Sequence, residues 1–532
     1  MSKVRIYARN LAANWIGYWA SLALTLVSSW FVFHLLGDVR YGIWCLMLSL
    51  TGYLGIVDLG LRPALYRYYN WYLGRGEPEK VNEVLCTALA FFVAACLVLL
   101  LAGTVLGFFF GQIFPKAPPE YLGEVGIALV FTALDVGLSG VAASFRSLID
   151  TRERYDLSSG LETTVIACRS AASILVIYLG FGLVGLAVAH VGVTALSCAG
   201  GYMLARRAFH PMAIRRSHVS RRMLTELLRF GVPCFFSGIG IRVMAFTSPP
   251  LIAWLIGISA VGYYSLAVMM LEYGRSLVQK TATIFTPSIQ QAVARDDLPE
   301  LRRFVPVVTR LFMGASVLVI VGIMALGQDF LRLFYGEAAG AATGGLLAIL
   351  GVGHLFACSS LQCGVVLIAA AKVRFMASIV LVQAAASLGL IVILVALGHM
   401  GLLGVALGTA APMVLFSGIL ISMVGIGHMR MRWTQFARQT AAHWIPAAAL
   451  FLAACFGLAY GIAFATWGWF FAKVTCACLV YVPIAWFIIL PPEHRKRLLA
   501  WVSGPSSKWR KRPAGSVAPA VGPSPNHVKT GS

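Results

Sequence analysis

Five cations stand where cations are costly. Arg62, Arg169, Arg242, Arg275 and Lys280 all fall inside long apolar stretches, and a charge at a bilayer centre costs several kcal/mol, so each is a functional candidate. At about 1.5 Å per helical residue, Arg242 lies about 18 Å beyond Phe230 and Arg169 about 18 Å beyond Leu157, both near a membrane midplane. Neither has an acidic residue three or four positions away. One reading pairs each with a carboxylate on another helix, Asp135 being available. The other leaves two guanidinium groups awaiting an anionic ligand, since a guanidinium suits bidentate phosphate contact. Arg62 follows Asp58 by four residues and Arg275 follows Glu272 by three, spacings that allow pairing within one helix. Asp58, Asp135 and Glu272 are therefore either ion-coupling groups or structural partners. Lys280 has no acidic neighbour at that spacing on its own helix.

Two polar stripes accompany these charges. Asn10, Asn14, Ser21, Thr25 and Ser28, with Tyr18 beside them, keep to one helical face, as do Ser265, Glu272, Ser276, Lys280 and Thr283. Such stripes either glue helices together in lipid or line a wet cavity; the charge on the second favours the cavity. Arg310 is expected to snorkel to a nearby membrane face. His34, His190 and His354 read as packing histidines rather than a proton relay. Ser248-Pro249-Pro250 should interrupt its helix near one end, where a bend could serve alternating access.

The elements that must hold these groups are transmembrane. The chain has 532 residues, of which 59% are hydrophobic and only 12% charged, against about 25% charged in soluble proteins. Fourteen apolar runs, at about 11–36, 42–66, 83–113, 121–149, 158–179, 183–206, 226–256, 261–290, 304–328, 341–370, 375–397, 401–426, 441–466 and 469–490, can each cross about 30 Å of hydrocarbon. The net charge of +22 does not point to nucleic acid, because most cations cluster in alternate connections. One side gathers groups such as Arg67 and Arg75, Arg152 and Arg154, Arg206 to Arg229, and Arg430 to Arg438; the other has Arg40, Lys116 and Arg332, with Lys473 near an end. The positive-inside rule then puts both termini in the cytoplasm. The first apolar stretch is too long for a signal peptide. The 11 cysteines read as small buried hydrophobes and no metal site is expected. No nucleotide-binding P-loop is present, and the expected outer loops are too short to carry an enzyme's catalytic residues.

The sequence also resembles itself at a shift of about 220 residues. Leu35-Leu36-Gly37 with Gly42 matches Leu255-Ile256-Gly257 with Gly262; Tyr53 matches Tyr273, Arg75 matches Arg295, and Arg154-Tyr155 matches Arg374-Phe375. At a shift of 219, Gly182 and Gly185 match Gly401 and Gly404. Repeats of six helices enter the membrane from the same side, giving parallel lobes about an axis along its normal. The expected organisation is an all-α N-terminal lobe over 1–206, a basic linker over 207–225, a second lobe over 226–428, two added helices over 429–490, and a disordered basic tail over 491–532. The substrate cavity is expected between the lobes.

The stretch Leu36-Gly-Asp-Val-Arg-Tyr-Gly-Ile-Trp44, followed by Gly52-Tyr-Leu-Gly-Ile-Val-Asp-Leu-Gly-Leu61, resembles the oligosaccharide flippases of the polysaccharide transporter family. That family lies within the superfamily that also contains multidrug exporters, and the resemblance extends over about residues 5–490. It implies transfer of polyprenyl-diphosphate-linked sugar from the cytoplasmic to the periplasmic leaflet of a bacterial inner membrane. A cation-lined cavity would carry it, with no bound cofactor and a proton or sodium gradient as the drive. The implied partners are the lipid-linked oligosaccharide, membrane lipids and the polysaccharide assembly machinery. The implied cavity residues are Arg242, Arg169, Arg275, Lys280 and Arg62, with Asn14, Ser21 and Thr25 as hydroxyl and amide lining. A multidrug exporter or a lipid II flippase of the same superfamily are the alternatives; a membrane sugar polymerase is a third.

Overall fold

A computed structural model describes residues 3–152, 154–282, 285–461, 466–492 and 495, without the side chains of residues 3–16. The charged and amide side chains of that opening segment, Asn14 among them, and the bulk of the tail lie outside the described residues, as does Thr283. The chain up to Ile489 forms one compact unit.

The described chain is helical, with no strand. In chain order it runs α1 (Lys3–Leu54), α2 (Leu61–Arg75), α3 (Pro78–Ile113), α4 (Leu122–Thr151), α5 (Tyr155–Tyr178), α6 (Gly182–Ala208) and α7 (Arg221–Phe246). There follow α8 (Ser248–Leu255), α9 (Ile258–Ala282), α10 (Thr286–Ala294), α11 (Leu298–Ser316), α12 (Gly322–Tyr335), α13 (Glu337–Ser359) and α14 (Leu361–Ala369). The last six are α15 (Val373–Val392), α16 (Gly401–Pro412), α17 (Ile421–His428), α18 (Trp433–Gln439), α19 (Ala441–Gly461) and α20 (Trp467–Ile484). Twelve stretches among the described residues are long and apolar enough to cross a membrane. The first of them, Gly17–Asp58, passes through Gly37, whose φ of 77° breaks the helix and separates two spans. α9, which carries Glu272, Arg275 and Lys280, is not among the twelve. Counting the two parts of the first stretch separately gives thirteen of the fourteen expected crossings, and α9 occupies the place of the other. This is a multi-pass membrane protein.

The 220-residue self-similarity reappears in the backbone. Left-handed φ values recur at equivalent turns: Gly37 and Gly257, Gly76 and Asp296, Gly180 and His399, Gly182 and Gly401. More tellingly, the equivalent turns touch each other. A Cβ on Gly42 would lie 2.2 Å from the Ile258 carbonyl oxygen, and one on Gly262 would lie 3.4 Å from that of Asp38. Residue 258 is the counterpart of 38, so the contact is reciprocal, as across a two-fold axis. Tyr53 bonds the Thr247 hydroxyl, while its counterpart Tyr273 lies beside Thr25.

Sequence chemistry explains the junction further along. Pro250 has no N–H to give Phe246, four residues back; the hydroxyl of Ser49 donates to that carbonyl instead. The proline pair thus ends α7 and starts α8, and the freed acceptor becomes a bond between distant parts of the chain.

The two final helices are anchored in the bundle. Lys473, expected near an outer end, is instead buried in α20 and paired with Asp329 of α12 at 2.9 Å. The Arg310 guanidinium, near the start of its span, donates to the Ile488 carbonyl at 2.6 Å. Ile488 lies in the last helical turn, Ala485–Ile489, whose carbonyls have no partner further along the helix.

Candidate functional site

The second span is not one helix. It stops at Leu54, tightens into a 3-10 turn at Gly55–Asp58, passes through left-handed Leu59 and Gly60, and restarts as α2. Interrupted helices inside a membrane are tolerated where the freed backbone is satisfied by protein or faces a wet cavity. Here one Asp58 oxygen accepts from the Gly60 N–H at 2.9 Å, capping the break from within. Glycine is required at 60: its φ is +73°, and a Cβ there would fall 2.2 Å from the Gly231 carbonyl of α7. Gly231 reciprocates, since its own Cβ would lie 2.8 Å from the Leu59 carbonyl.

The other Asp58 oxygen collects two guanidinium groups. Arg242 of α7 donates to it at 3.2 Å, and Arg62 approaches it at 3.7 Å. Arg62 also donates to the Ser139 hydroxyl of α4 at 3.2 Å. Asp58 is 13% exposed, Arg242 32% and Arg62 48%. A cavity of about 210 Å³ opens here, lined by Gly55, Asp58, Arg62, Ser139, Arg242 and Phe246. One carboxylate for two guanidinium groups leaves one positive charge over.

Of the two readings left open for the midplane arginines, pairing with a carboxylate on another element holds for Arg242, because the break turns Asp58 toward α7. It holds for Arg169 too. That side chain donates to both oxygens of Asp135, at 3.3 and 3.4 Å, and to Thr194 at 2.7 Å. Thr194 in turn donates to Asp135 at 2.5 Å, and His190 of the same helix meets Ser173 at 3.2 Å. This network ties α4, α5 and α6 together and does not line the Asp58 cavity. Arg275 pairs with Glu272 at 2.5 Å, as the spacing predicts; the pair is within electrostatic reach of His354 and Cys358 on α13, not of the break. Thr25 donates to the Ser21 carbonyl of its own helix at 2.7 Å, and neither residue lines the Asp58 cavity.

Lys280 is placed differently. Its ammonium sits 3.9 Å from the Tyr18 ring centroid, a favourable cation–π contact, and Tyr18 donates to the Tyr273 carbonyl at 3.1 Å. Sequence reasoning missed its neighbours. Arg146 lies inside α4 and approaches Glu162 of α5 at 3.7 Å. Glu162 is within electrostatic reach of Lys280, and Arg146 of Arg62. Arg146 already falls inside the expected run at 121–149; its partner stands on another helix, which spacing along one helix does not reveal.

Comparison with known proteins bears on this geometry. Residues 8–293, more than half the chain, match the family described as polysaccharide biosynthesis protein. The chain belongs to that family. It is 21% identical over 413 residues to the uncharacterized membrane protein EpsK of Bacillus subtilis (strain 168), covering 77% of this chain and 81% of that one. The lipid II flippase MurJ, in an inward closed conformation, superposes with a TM-score of 0.66 at 13% identity, over 90% of this chain and 98% of its own. An inward-facing multidrug resistance transporter of the MATE family and MOP superfamily gives 0.64 at 15% identity, over 78% and 98%. At such identities these structures share the fold. Family and fold match the resemblance read from the sequence: a membrane protein of the polysaccharide biosynthesis family with the fold of these solved structures.

Proposed function

We propose that this polysaccharide biosynthesis family member is a flippase. It carries a polyprenyl-diphosphate-linked oligosaccharide between leaflets of a bacterial inner membrane, with both termini in the cytoplasm. The carrying observation is the pair of guanidinium groups, one from each repeat, gathered on a single carboxylate at a helix break beside a cavity. A diphosphate is strongly hydrated and cannot enter hydrocarbon without replacement contacts. Arg62 and Arg242 supply charge-assisted donors for it, and the polyprenyl chain stays in lipid. The repeats act as two lobes that rock about their reciprocal contact at Gly42 and Gly262, and a proton or sodium gradient drives the cycle without a bound cofactor. The polysaccharide assembly machinery supplies and removes the substrate.

A cationic drug is a poor fit, since the break already has more guanidinium than carboxylate. The test is genetic and chemical. Deletion should trap a lipid-linked glycan in the cytoplasmic leaflet, and Arg242→Ala should reproduce that defect with the protein still inserted. Normal glycan export by an inserted Arg242→Ala protein would overturn the proposal.

A further inference from the structure

α2 continues past the membrane. On α3 the large exposed apolar side chains run from Val93 through Leu101 to Ile113, about 30 Å at 1.5 Å per residue, which is the thickness of a hydrocarbon core. The part of α3 before that band, around Val81 to Leu85, is packed instead against Leu61, Leu65 and Tyr69 of α2. The turn between the two helices is short and closes through left-handed Gly76, so they run antiparallel. Counting back from that turn, Leu61 stands level with Phe92, at the edge of the lipid-facing band. Phe92 and Arg62 both line the Asp58 cavity. The rest of α2 therefore lies beyond the hydrocarbon. Trp71 is about 15 Å past its edge, farther than a headgroup layer about 5–8 Å deep.

α2 is covered on three sides. α3 lies behind it, Arg62 donates to Ser139 of α4 on one flank, and Tyr68 donates to the Glu226 carbonyl of α7 at 3.3 Å on the other. The face left open begins with Arg62 and continues through Tyr66, Asn70 and Trp71; Tyr66 is 44% exposed and Trp71 52%. A membrane-interface belt accounts for many exposed aromatic residues, but not for a ring as far into water as Trp71. The Arg75 guanidinium lies 4.4 Å from the Trp71 ring centroid, which steadies the indole from one side. Asn70 donates to the Tyr66 carbonyl at 2.8 Å, which fixes its amide and leaves the amide oxygen to accept. The second repeat supplies a control. Its α10 buries Ile289 where α2 buries Tyr69, and exposes Gln290 and Gln291 where α2 exposes Asn70 and Trp71. The frame itself does not call for a ring at that position.

We propose, resting on the flippase reading above, that the open face of α2 is the seat of the glycan. With the diphosphate at Arg62 and Arg242, the sugars nearest to it lie along Tyr66, Asn70 and Trp71. The site is continuous with the Asp58 cavity, because Arg62 belongs to both. A pyranose ring offers an apolar face of C–H groups, which stacks on an aromatic ring, and a rim of hydroxyl groups, which pair with an amide. Arg62 and Trp71 are about 13 Å apart along the helix, room for a short oligosaccharide. A lipid-linked glycan in the leaflet on this side holds its diphosphate at headgroup level and its sugars in water. A ligand that reaches Arg62 from there brings its sugars onto α2.

The test uses the full chain in nanodiscs and two probes. One is the lipid-linked glycan isolated from membranes of a strain lacking the protein; the other is a polyprenyl diphosphate of the same chain length without sugar. The wild type should bind the first more tightly. Trp71→Ala should weaken the first by about tenfold, the size of one aromatic contact, and leave the second unchanged, which also shows that the variant is folded. Trp71→Phe, which keeps a ring, should recover most of the loss, and Gln291→Ala in the second repeat should change neither. Equal binding of both probes by the wild type, or an equal loss of both in Trp71→Ala, would overturn the glycan seat and leave the flippase reading intact. So would a Trp71→Ala protein that binds the glycan-bearing probe as the wild type does; a fall in export by that protein would then assign the face to a protein partner. If the wild type binds neither probe, or if Arg242→Ala binds both as the wild type does, the fault lies with the flippase reading itself.

Discussion

Asp58 is the point at which the two repeats are joined by charge, and a double-mutant cycle with Arg242 measures that joint. Asn at position 58 keeps an oxygen to accept the Gly60 N–H, now at 2.9 Å, so the break survives and only the charge is lost. Two unit charges about 4 Å apart interact by about 4 kcal/mol at an effective dielectric of about 20. Here the Arg242 side chain is 32% exposed, and solvent screening lowers that figure. Arg62 also remains at 3.7 Å to hold Asp58 when Arg242 is gone. The expected coupling between Asp58→Asn and Arg242→Gln is therefore about 1–2 kcal/mol, below the roughly 3–5 kcal/mol of a fully buried broken pair. Asp58→Asn alone should cost more than Arg242→Gln alone, because it strands two guanidinium groups instead of leaving one pair intact. Reversible unfolding in mixed micelles, titrated with a denaturing detergent, reads all four proteins. Simple additivity within about 0.5 kcal/mol would refute the reasoning, since it would mean the two side chains do not share an interaction.

Gly60→Ala should abolish transport without preventing insertion. The left-handed backbone alone costs about 1–2 kcal/mol for a residue with a Cβ, and the 2.2 Å approach to Gly231 must open. Gly74→Ala in α2, where a Cβ meets nothing within 4 Å, is the control and should transport normally. Lys473→Leu should destabilise the protein by about 3 kcal/mol by leaving Asp329 without its cation; adding Asp329→Asn should restore most of the loss in the same unfolding assay.

Much of the fold was written in local pattern. Apolar run length marked the crossings, and Gly37, Gly257, Gly182 and Gly401 marked turns because they supply the backbone conformation a helix reversal requires. Charge partners close in sequence were also legible: Glu272 with Arg275 follows from helical spacing, and Asp58 with Arg62 meets across the break. What spacing could not reveal was the break at Gly55–Gly60. A continuous helix would have kept Asp58 on the Arg62 face, and Arg242 would have stood alone at mid-depth. The partner of Arg242 lies 184 residues away, and only the unwinding turns it there. Lys473 misled for a similar reason, because its proximity to a helix start suggested an aqueous end while Asp329 on α12 held it inside.

The break also says where the repeats stop being alike. Around Gly42 and Gly262 the halves mirror one another closely, as a pivot between two lobes requires. Sixteen to twenty residues later the correspondence fails: Asp58, Gly60 and Arg62 face Val278, Lys280 and Ala282 in the shifted sequence. α9 stays helical through those three positions, so the first repeat unwinds where the second carries a cation on intact helix. A helix interior that contains Gly-Ile-Val-Asp-Leu-Gly violates local helix preference, with two glycines each less favourable than alanine by about 1 kcal/mol. Local violations of this kind are expected at functional sites rather than in scaffolding. A symmetric frame lets two lobes move as a pair. A ligand with one charged end and one apolar end needs an asymmetric seat, and the chain departs from its own repeat at the residues that would provide it.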